Sequence, residues 1–191
     1  MGSGSRAFAE RYFVELKRVV DAMPMENVGR ALDLLEAAHV EGKQVFLAGN
    51  GGSAATASHM ANDLSWGLTR GQVKPMRAIA LTDNVSLMTA VANDAGYDEM
   101  FTHQLDALAA PGDLLVAISA SGNSPNIVKA IDRAKQIGMK SVGFLGMGGG
   151  KAASMVDVAV AVGSSEYGPI EDVHMVLDHL ALAYLRQALR K

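Results

Sequence analysis

The stretch AGNGGSAATASHMANDL, residues 48–64, decides the fold class of this sequence. It follows a short apolar run, turns through three glycines and continues as a helical pattern, in which Ser53 is the expected cap. Glycines let a ligand approach the backbone, and the amide groups at a helix start favour an anion. Taken alone, the turn does not distinguish a phosphate site from an ordinary connection between a strand and a helix.

The turn matches neither of the two common nucleotide-binding patterns. No lysine follows its second glycine, as in a P-loop, and no third glycine stands at the spacing of the dinucleotide fingerprint. We therefore expect no nucleotide cofactor.

Composition excludes several classes of protein. The chain has 191 residues, is 49% hydrophobic and 19% charged, and carries a formal net charge of −3, which predicts no nucleic-acid partner. No apolar stretch is long enough to span a membrane, so no membrane association is expected. The absence of cysteine is typical of a cytoplasmic protein. The opening MGSGS, residues 1–5, is interpreted as a flexible tail.

Five short apolar runs alternate with helical patterns. The runs are too short for helices and too continuous for half-exposed strands, so they predict buried parallel strands. The predicted strands are residues 44–48, 77–81, 114–119, 141–146 and 158–162. The predicted helices are 8–23, 28–40, 53–68, 85–91 continuing through 97–108, 125–137, a short one near 152–155, and 170–189.

This alternation predicts an α/β fold, a three-layer α/β/α sandwich with a five-stranded parallel sheet. An N-terminal helical pair, within residues 1–42, precedes the α/β core of residues 43–191, and the whole chain is expected to be one domain. The first helices have apolar stripes, and the last is apolar nearly all round, which favours association between subunits.

A second loop, SASGNSPN at residues 119–126, strengthens the phosphate interpretation. Ser119, Ser121 and Ser124 supply three hydroxyls, and Pro125 suits the first position of a helix. Hydroxyls and helix-start amides together form an anion site that needs no arginine. An ordinary capped turn is the alternative, but two such loops at the carboxyl ends of neighbouring strands favour phosphate.

Two helical segments carry acid and base groups. His59 and Asp63 are four residues apart and share a helix face. The last helix contains EDVHMVLDH, residues 171–179, in which charged groups stand among apolar ones and are costly to bury unless paired. Helix geometry alone does not choose between His174 and His179, and a solvated polar stripe is the alternative.

Four motifs, in this order and spacing, resemble one known family. They are GNGGSAATASHMANDL, AVANDAGYD, ISASGNSPNIVKAI and IEDVHMVLDH. Together they resemble the sugar isomerase (SIS) domain and, more narrowly, the phosphoheptose isomerases. The resemblance implies an aldose–ketose isomerase that interconverts sedoheptulose 7-phosphate and D-glycero-D-manno-heptose 7-phosphate through an enediol. It also implies a homotetramer with one zinc ion per subunit.

The resemblance assigns roles by position in this sequence. Asp63 and His179 take the catalytic positions, and His179 is thereby preferred over His174. The substrate-binding positions fall on Asn50, Gly51, Gly52, Ser53, Asp63, Asn93, Asp94, Ser119, Ala120, Ser121, Ser124 and Glu171. The metal positions fall on His59, Asp63, Glu171 and His179, a set of imidazoles and carboxylates that suits zinc.

Three residues depart from the family pattern. Asp63 stands where a glutamate base is usual, Glu171 where a glutamine is usual, and Ala120 where threonine is common. The first two departures indicate either a subfamily with a shifted substrate or a more tightly metal-bound site. Two alternatives also stay open: an isomerase of another ketose phosphate, and a non-catalytic SIS module that binds a sugar phosphate or a replication-initiator-type protein. The presence of both histidines and both carboxylates favours catalysis.

Overall fold

A computed structural model describes residues 3–190, and Met1, Gly2 and Lys191 lie outside the described residues. The first helix begins at Ser3, so the prediction of a flexible tail is wrong for residues 3–5. An ion pair one turn apart, between Arg6 and Glu10 at 2.8 Å, supports this first part of the helix. Among the described residues, no helix combines the length and the apolar character needed to cross a membrane.

The five predicted strands are present and form one parallel sheet in the order β2-β1-β3-β4-β5. All carboxyl ends therefore lie at the same edge, where the glycine turn and the serine loop were expected to meet. The strands are β1 (Gln44–Gly49), β2 (Arg77–Ala80), β3 (Leu114–Ser119), β4 (Lys140–Leu145) and β5 (Val158–Ala161).

Helices cover the sheet on both faces and make three layers. Strand residues alternate between the faces, so that Val45 and Leu47 pack with one set of helices while Phe46 and Ala48 pack with the other. The helices are α1 (Ser3–Asp21), α2 (Met25–Val40), α3 (Gly52–Asn62), α4 (Val85–Asp94), α5 (Thr102–Leu108), α6 (Pro125–Ile137) and α7 (Tyr167–Ala188). The first three and α7 pack on the face of Val45, and α5 and α6 on the face of Phe46. The predicted fold class is confirmed.

One strand differs from its prediction as a buried element. In β2, Arg77 and Ile79 are exposed, and the Ile79 side chain is 39% exposed. The reason is its position, because β2 is an edge strand of the sheet and α4, which follows it, buries none of its own residues.

Two predicted helices are interrupted. The helix expected over residues 53–68 ends at Asn62 and continues as a π-helical turn, Asp63–Gly67. The helix expected from residue 85 to 108 breaks at Gly96, whose φ of 109° is suited to glycine, and a 3₁₀ turn, Tyr97–Glu99, follows. The predicted short helix near 152–155 is a 3₁₀ turn, Ala152–Ser154. The first interruption places Asp63 in a π-helical turn, a feature that often occurs at functional sites.

Candidate active site

A cavity of about 280 Å³ lies at the carboxyl edge of the sheet. The turn after β1, the loop after β3 and the start of α7 form its walls. It brings together most of the residues predicted to bind substrate. The lining residues are Asn50, Gly51, Gly52, Ser53, Ile118, Ser119, Ala120, Ser121, Ser124, Tyr167 and Glu171.

The glycine turn joins the cavity to the last helix. A Cβ atom at Gly52 would overlap the carboxylate of Glu171, so only glycine admits this contact. Helix α3 has Gly51 as its N-cap, with no side-chain hydrogen bond, and Ser53 lies inside the first turn. The prediction that Ser53 caps the helix is therefore wrong: the helix begins one residue earlier, which directs its first amides toward the cavity.

Backbone amides of the serine loop donate hydrogen bonds to two of its own serine side chains. Ser119 Oγ accepts a hydrogen bond from the Gly122 amide at 3.1 Å, and Ser121 Oγ accepts one from the Asn123 amide at 3.2 Å. Each hydroxyl therefore keeps its proton available for a ligand. Ser124 is the N-cap residue of α6, and its side chain bonds none of the first amides of that helix, whereas Asn126 Oδ1 accepts a hydrogen bond from the Ile127 amide at 3.0 Å. Hydroxyl and amide donors thus converge on the cavity, and none of the cavity-lining residues, all within 3–190, is a lysine or arginine.

Three residues at this site were not predicted from the sequence: Asn126, Tyr97 and Tyr167. The side-chain amides of Asn50 and Asn126 form two reciprocal hydrogen bonds of 2.8 Å, and the Tyr97 hydroxyl donates to Asn50 Oδ1 at 3.0 Å. Tyr167 lines the cavity but is 60% exposed. Asn126 and Tyr97 stand within the quoted motifs, and their polar side chains in those motifs were the available signal.

Three predicted substrate residues lie outside the cavity: Asp63, in the π-helical turn after α3, and the pair Asn93 and Asp94. Asn93 and Asp94 are exposed at the end of α4, where Asn93 Nδ2 donates to Asp94 Oδ1 at 2.7 Å. Helix α4 buries none of its residues, so no packing contact within the described part of the chain holds Asn93 and Asp94 against the serine loop.

A second polar group lies further along α3 and α7. It consists of His59, Asp63, Asp178 and His179, whose nearest ligand atoms all lie within 4.8 Å of one another. His59 Nε2 is 3.8 Å from Asp63 Oδ2, and the rings of His59 and His179 are 5.2 Å apart. We call these four residues the His–Asp group.

The His–Asp group differs from the predicted metal set in one member. Three predicted residues are brought together, but Glu171 is replaced by Asp178. The cause is the helix itself: seven residues separate Glu171 from Asp178, about two turns or 10 Å along α7. At that distance the Glu171 carboxylate packs against Gly52 instead.

Asp178 gives the group its electrostatic character. Its side chain is fully buried, and neither carboxylate oxygen has a hydrogen-bond partner among residues 3–190. Burial, and secondarily the nearby Asp63 carboxylate, raise the pKa of Asp178 to about 7. A buried carboxylate without a partner is costly unless a cation compensates it. Two imidazoles and two carboxylates are donors that suit a divalent cation, so the group is compatible with a bound metal.

His174, the other histidine of the last helix, is not part of this group. Its ring is fully buried beside Phe144, with ring centroids 6.4 Å apart. Burial lowers its pKa to about 4, and the carbonyl of Leu145 only partly offsets this effect, since no hydrogen bond of ordinary geometry joins them. The ring is neutral at pH 7 and belongs to the core.

Comparisons with known proteins identify the family of the chain. The sequence model of the SIS domain matches residues 10–146. The phosphoheptose isomerase of Rhodospirillum rubrum is 39% identical over 184 residues, 96% of either chain. A probable phosphoheptose isomerase of Thermoplasma acidophilum is 38% identical over 93% of this chain and 97% of its own.

A solved structure supports the same assignment. The phosphoheptose isomerase GmhA from Neisseria gonorrhoeae superposes with a TM-score of 0.88 at 31% identity, over 95% of this chain and 98% of that one. Identity above 30% over nearly the full length, together with the matched fold, shows the family. The chain belongs to the SIS domain family and, within it, to the phosphoheptose isomerases.

Proposed function

We propose that this chain is an aldose–ketose isomerase that interconverts sedoheptulose 7-phosphate and D-glycero-D-manno-heptose 7-phosphate. The observation that carries the proposal is one cavity in which a serine loop, two helix starts and a carboxylate meet. The family to which the chain belongs supports the heptose phosphate as substrate.

The serine loop binds the phosphate in this proposal. The hydroxyls of Ser119, Ser121 and Ser124 donate to phosphate oxygens, and the amides at the starts of α3 and α6 add to them. Charged acceptors strengthen such hydrogen bonds, so neutral donors suffice for the anion.

The sugar hydroxyls are held by the opposite wall of the cavity. Asn50 has its amide fixed by Asn126 and Tyr97, which sets the direction of its donor and acceptor. Asn93 and Asp94 lie at an exposed helix end, and we assign them to the sugar-binding site of a neighbouring subunit.

The reaction requires removal of a proton from the carbon next to the carbonyl, and transfer of a proton between the two oxygens. The family resemblance assigns the carbon-bound proton to Asp63 and the oxygen-bound proton to His179. It also assigns Asp63 to the metal. These two uses compete, because a carboxylate that binds a metal is a weaker base.

Zinc, one ion per subunit, is the metal that we propose for the His–Asp group. His59, Asp63 and His179 are the predicted ligands that lie together, and the fully buried Asp178 carboxylate beside them needs a counter-charge. A zinc ion held by this group would supply Lewis-acid chemistry or would order the two helices. In either case the two histidines are held through their ring nitrogens.

A cytoplasmic homotetramer is the proposed form of the enzyme, with residues 1–191 as a single domain in each subunit. The cysteine-free sequence is consistent with a reducing compartment. Apolar side chains that would suit contact with other subunits are exposed on α1 and at the start of α4. They include Phe8, Phe13, Val14 and Val85, each between 63% and 71% exposed.

The test is NMR of the reaction in heavy water. We expect sedoheptulose 7-phosphate to yield the aldose with deuterium at C2, since the enediol takes its proton from a group that exchanges with solvent. Other ketose phosphates, run in parallel, should turn over more slowly. Absence of both aldose and deuterium incorporation for the heptulose, with and without added zinc, would exclude this substrate.

A further inference from the structure

Helices α3 and α7 lie side by side and run in the same direction away from the sheet edge. Gly52 contacts Glu171 at the cavity, and the His59 ring contacts His179 further along. Seven residues separate the first pair from the second on α3, about 10 Å along the axis. The contact between the two helices therefore has two levels, the cavity level and the level of the His–Asp group.

The cavity level contains one carboxylate, that of Glu171. Among the cavity-lining residues, which all lie within 3–190, Glu171 is the one with a carboxyl group. It packs against a glycine, and no hydrogen bond or ion pair to its oxygens forms within the described part of the chain. Its oxygens are thus available to a ligand in the cavity.

The carboxylate of Asp63 is placed differently. Asp63 does not line the cavity, and its oxygens are engaged by Asn62 Nδ2 at 3.4 Å and His59 Nε2 at 3.8 Å. It also lies close enough to the buried Asp178 for the two charges to interact. Because like charges at this level need a shared cation, Asp63 is better suited to bind a metal than to leave it for a substrate.

We propose that Glu171 is the base that removes the carbon-bound proton of the sugar phosphate, and that Asp63 serves the metal together with Asp178. The inference rests on the proposed isomerase function. A general base must come within hydrogen-bond reach of the proton it removes, and among residues 3–190 Glu171 is the carboxylate that lines the same cavity as the serine loop. The fourth ligand of the metal is then Asp178, and Glu171 is released from that role.

The step balances without any further reactant. Glu171 takes a proton from C1 of the ketose, the C1–H electron pair becomes the C1=C2 double bond, and the carbonyl pair moves to O2, which is protonated. The enediol then loses the O1 proton as the C1 carbonyl forms, and C2 takes the proton back from Glu171. The proton that O1 loses balances the proton that O2 gains, so no net proton enters or leaves the sugar.

Two measurements on matched variants test the proposal. Deuterium incorporation into the sugar reports the base, and metal content per chain after dialysis against zinc reports the ligands. Glu171→Gln should lower deuterium incorporation by about 10²–10⁴-fold and keep the metal content of the parent. Asp63→Asn and Asp178→Asn should each lower the affinity for zinc about tenfold or more, and with saturating zinc Asp63→Asn should exchange within about tenfold of the parent.

Asp172→Asn is the control, because Asp172 neighbours Glu171 in sequence but is exposed and bonds Tyr12 at 2.6 Å, away from the cavity. It should match the parent in both measurements. Glu171→Asp is a second variant that keeps the charge. Because its side chain is one methylene shorter, this variant should exchange deuterium about 100-fold more slowly than the parent, with the same metal content.

The proposal is overturned if Glu171→Gln and Glu171→Asp exchange deuterium at the parental rate. It is equally overturned if Asp63→Asn loses exchange while it binds zinc like the parent. A parent protein that exchanges deuterium into no ketose phosphate gives a different result, which excludes the proposed function itself.

Discussion

The carboxylate of Glu171 lies against the backbone of Gly52, in the space that any side chain at position 52 would occupy. This contact joins the last helix of the chain to the turn after the first strand. It therefore completes the wall of the cavity and fixes a carboxylate opposite the serine loop. The position of this carboxylate thus depends on a residue that contributes no side chain.

Gly52→Ala should reduce isomerase activity about 100-fold, because the new methyl group displaces the Glu171 carboxylate by about 1 Å. The fold should persist, since alanine is more favourable than glycine within a helix. The measurement is kcat and KM for the heptulose phosphate, with circular dichroism to confirm folding.

Gly29→Ala is the matched control for that experiment. Gly29 lies within α2, and a methyl group there would meet no atom within 4 Å. This variant should keep full activity and gain about 0.5–1 kcal/mol of stability. Equal activity of the Gly52 and Gly29 variants would contradict the role given to the Glu171 contact.

Removal of a phosphate-binding hydroxyl should weaken binding more than it slows the chemistry. For Ser121→Ala or Ser124→Ala, we expect KM to rise about 10-fold or more, because a hydrogen bond to a charged group contributes about 1.5–3 kcal/mol. The inhibition constant of inorganic phosphate should rise by the same factor. The control is Ser154→Ala, since Ser154 is exposed and bonds the Lys151 carbonyl. A fall in kcat at unchanged KM would place these hydroxyls elsewhere than on the phosphate.

The sequence predicts the elements that repeat a simple physical pattern. The continuous apolar runs predicted all five strands, and the positions of Gly52 and Ser121 at strand ends correctly placed them at one edge. Edge position is not encoded in a run of six residues, so the exposure of Ile79 was not predicted. Exposure depends on which strands and helices become neighbours.

The sequence pattern also could not predict which residues make up the His–Asp group. Helix periodicity shows that Glu171 and Asp178 share a face of α7, but not which one meets His59. That choice depends on the position of α7 along the axis of α3, and the contact between Glu171 and Gly52 fixes this position. The single-domain organisation and the roles assigned to the site residues stay predictions.

His174 should make the protein less stable in mild acid. Its folded-state pKa of about 4 lies below the ordinary histidine value of 6.5. Between these values the unfolded chain binds more protons than the folded one, so stability rises with pH from about 4 to about 6.5. A shift of this size corresponds to about 3 kcal/mol.

The variant His174→Leu should remove this contribution and thus be more stable than the parent at pH 5, by urea unfolding. The raised pKa of Asp178 gives the parent an opposite slope, so the difference between the two proteins, rather than either curve, isolates His174. His103→Gln, at an exposed position, should leave the curve unchanged. A constant difference between parent and His174→Leu from pH 4 to pH 7 would contradict the interpretation.

Removal of the metal from the His–Asp group, which lies between α3 and α7, should lower the stability of the folded protein. A ligand that binds only the folded state adds about 2.7 kcal/mol at 100 times its dissociation constant, so zinc should raise the melting temperature measurably above that of chelator-treated protein. Asp178→Asn should abolish most of this increase, because Asp178 provides the buried charge of the His–Asp group. Glu171→Gln should retain the increase, since its side chain contacts Gly52 instead. Calorimetry of the three proteins, with and without zinc, distinguishes these results, and loss of the zinc effect in Glu171→Gln alone would return Glu171 to the metal.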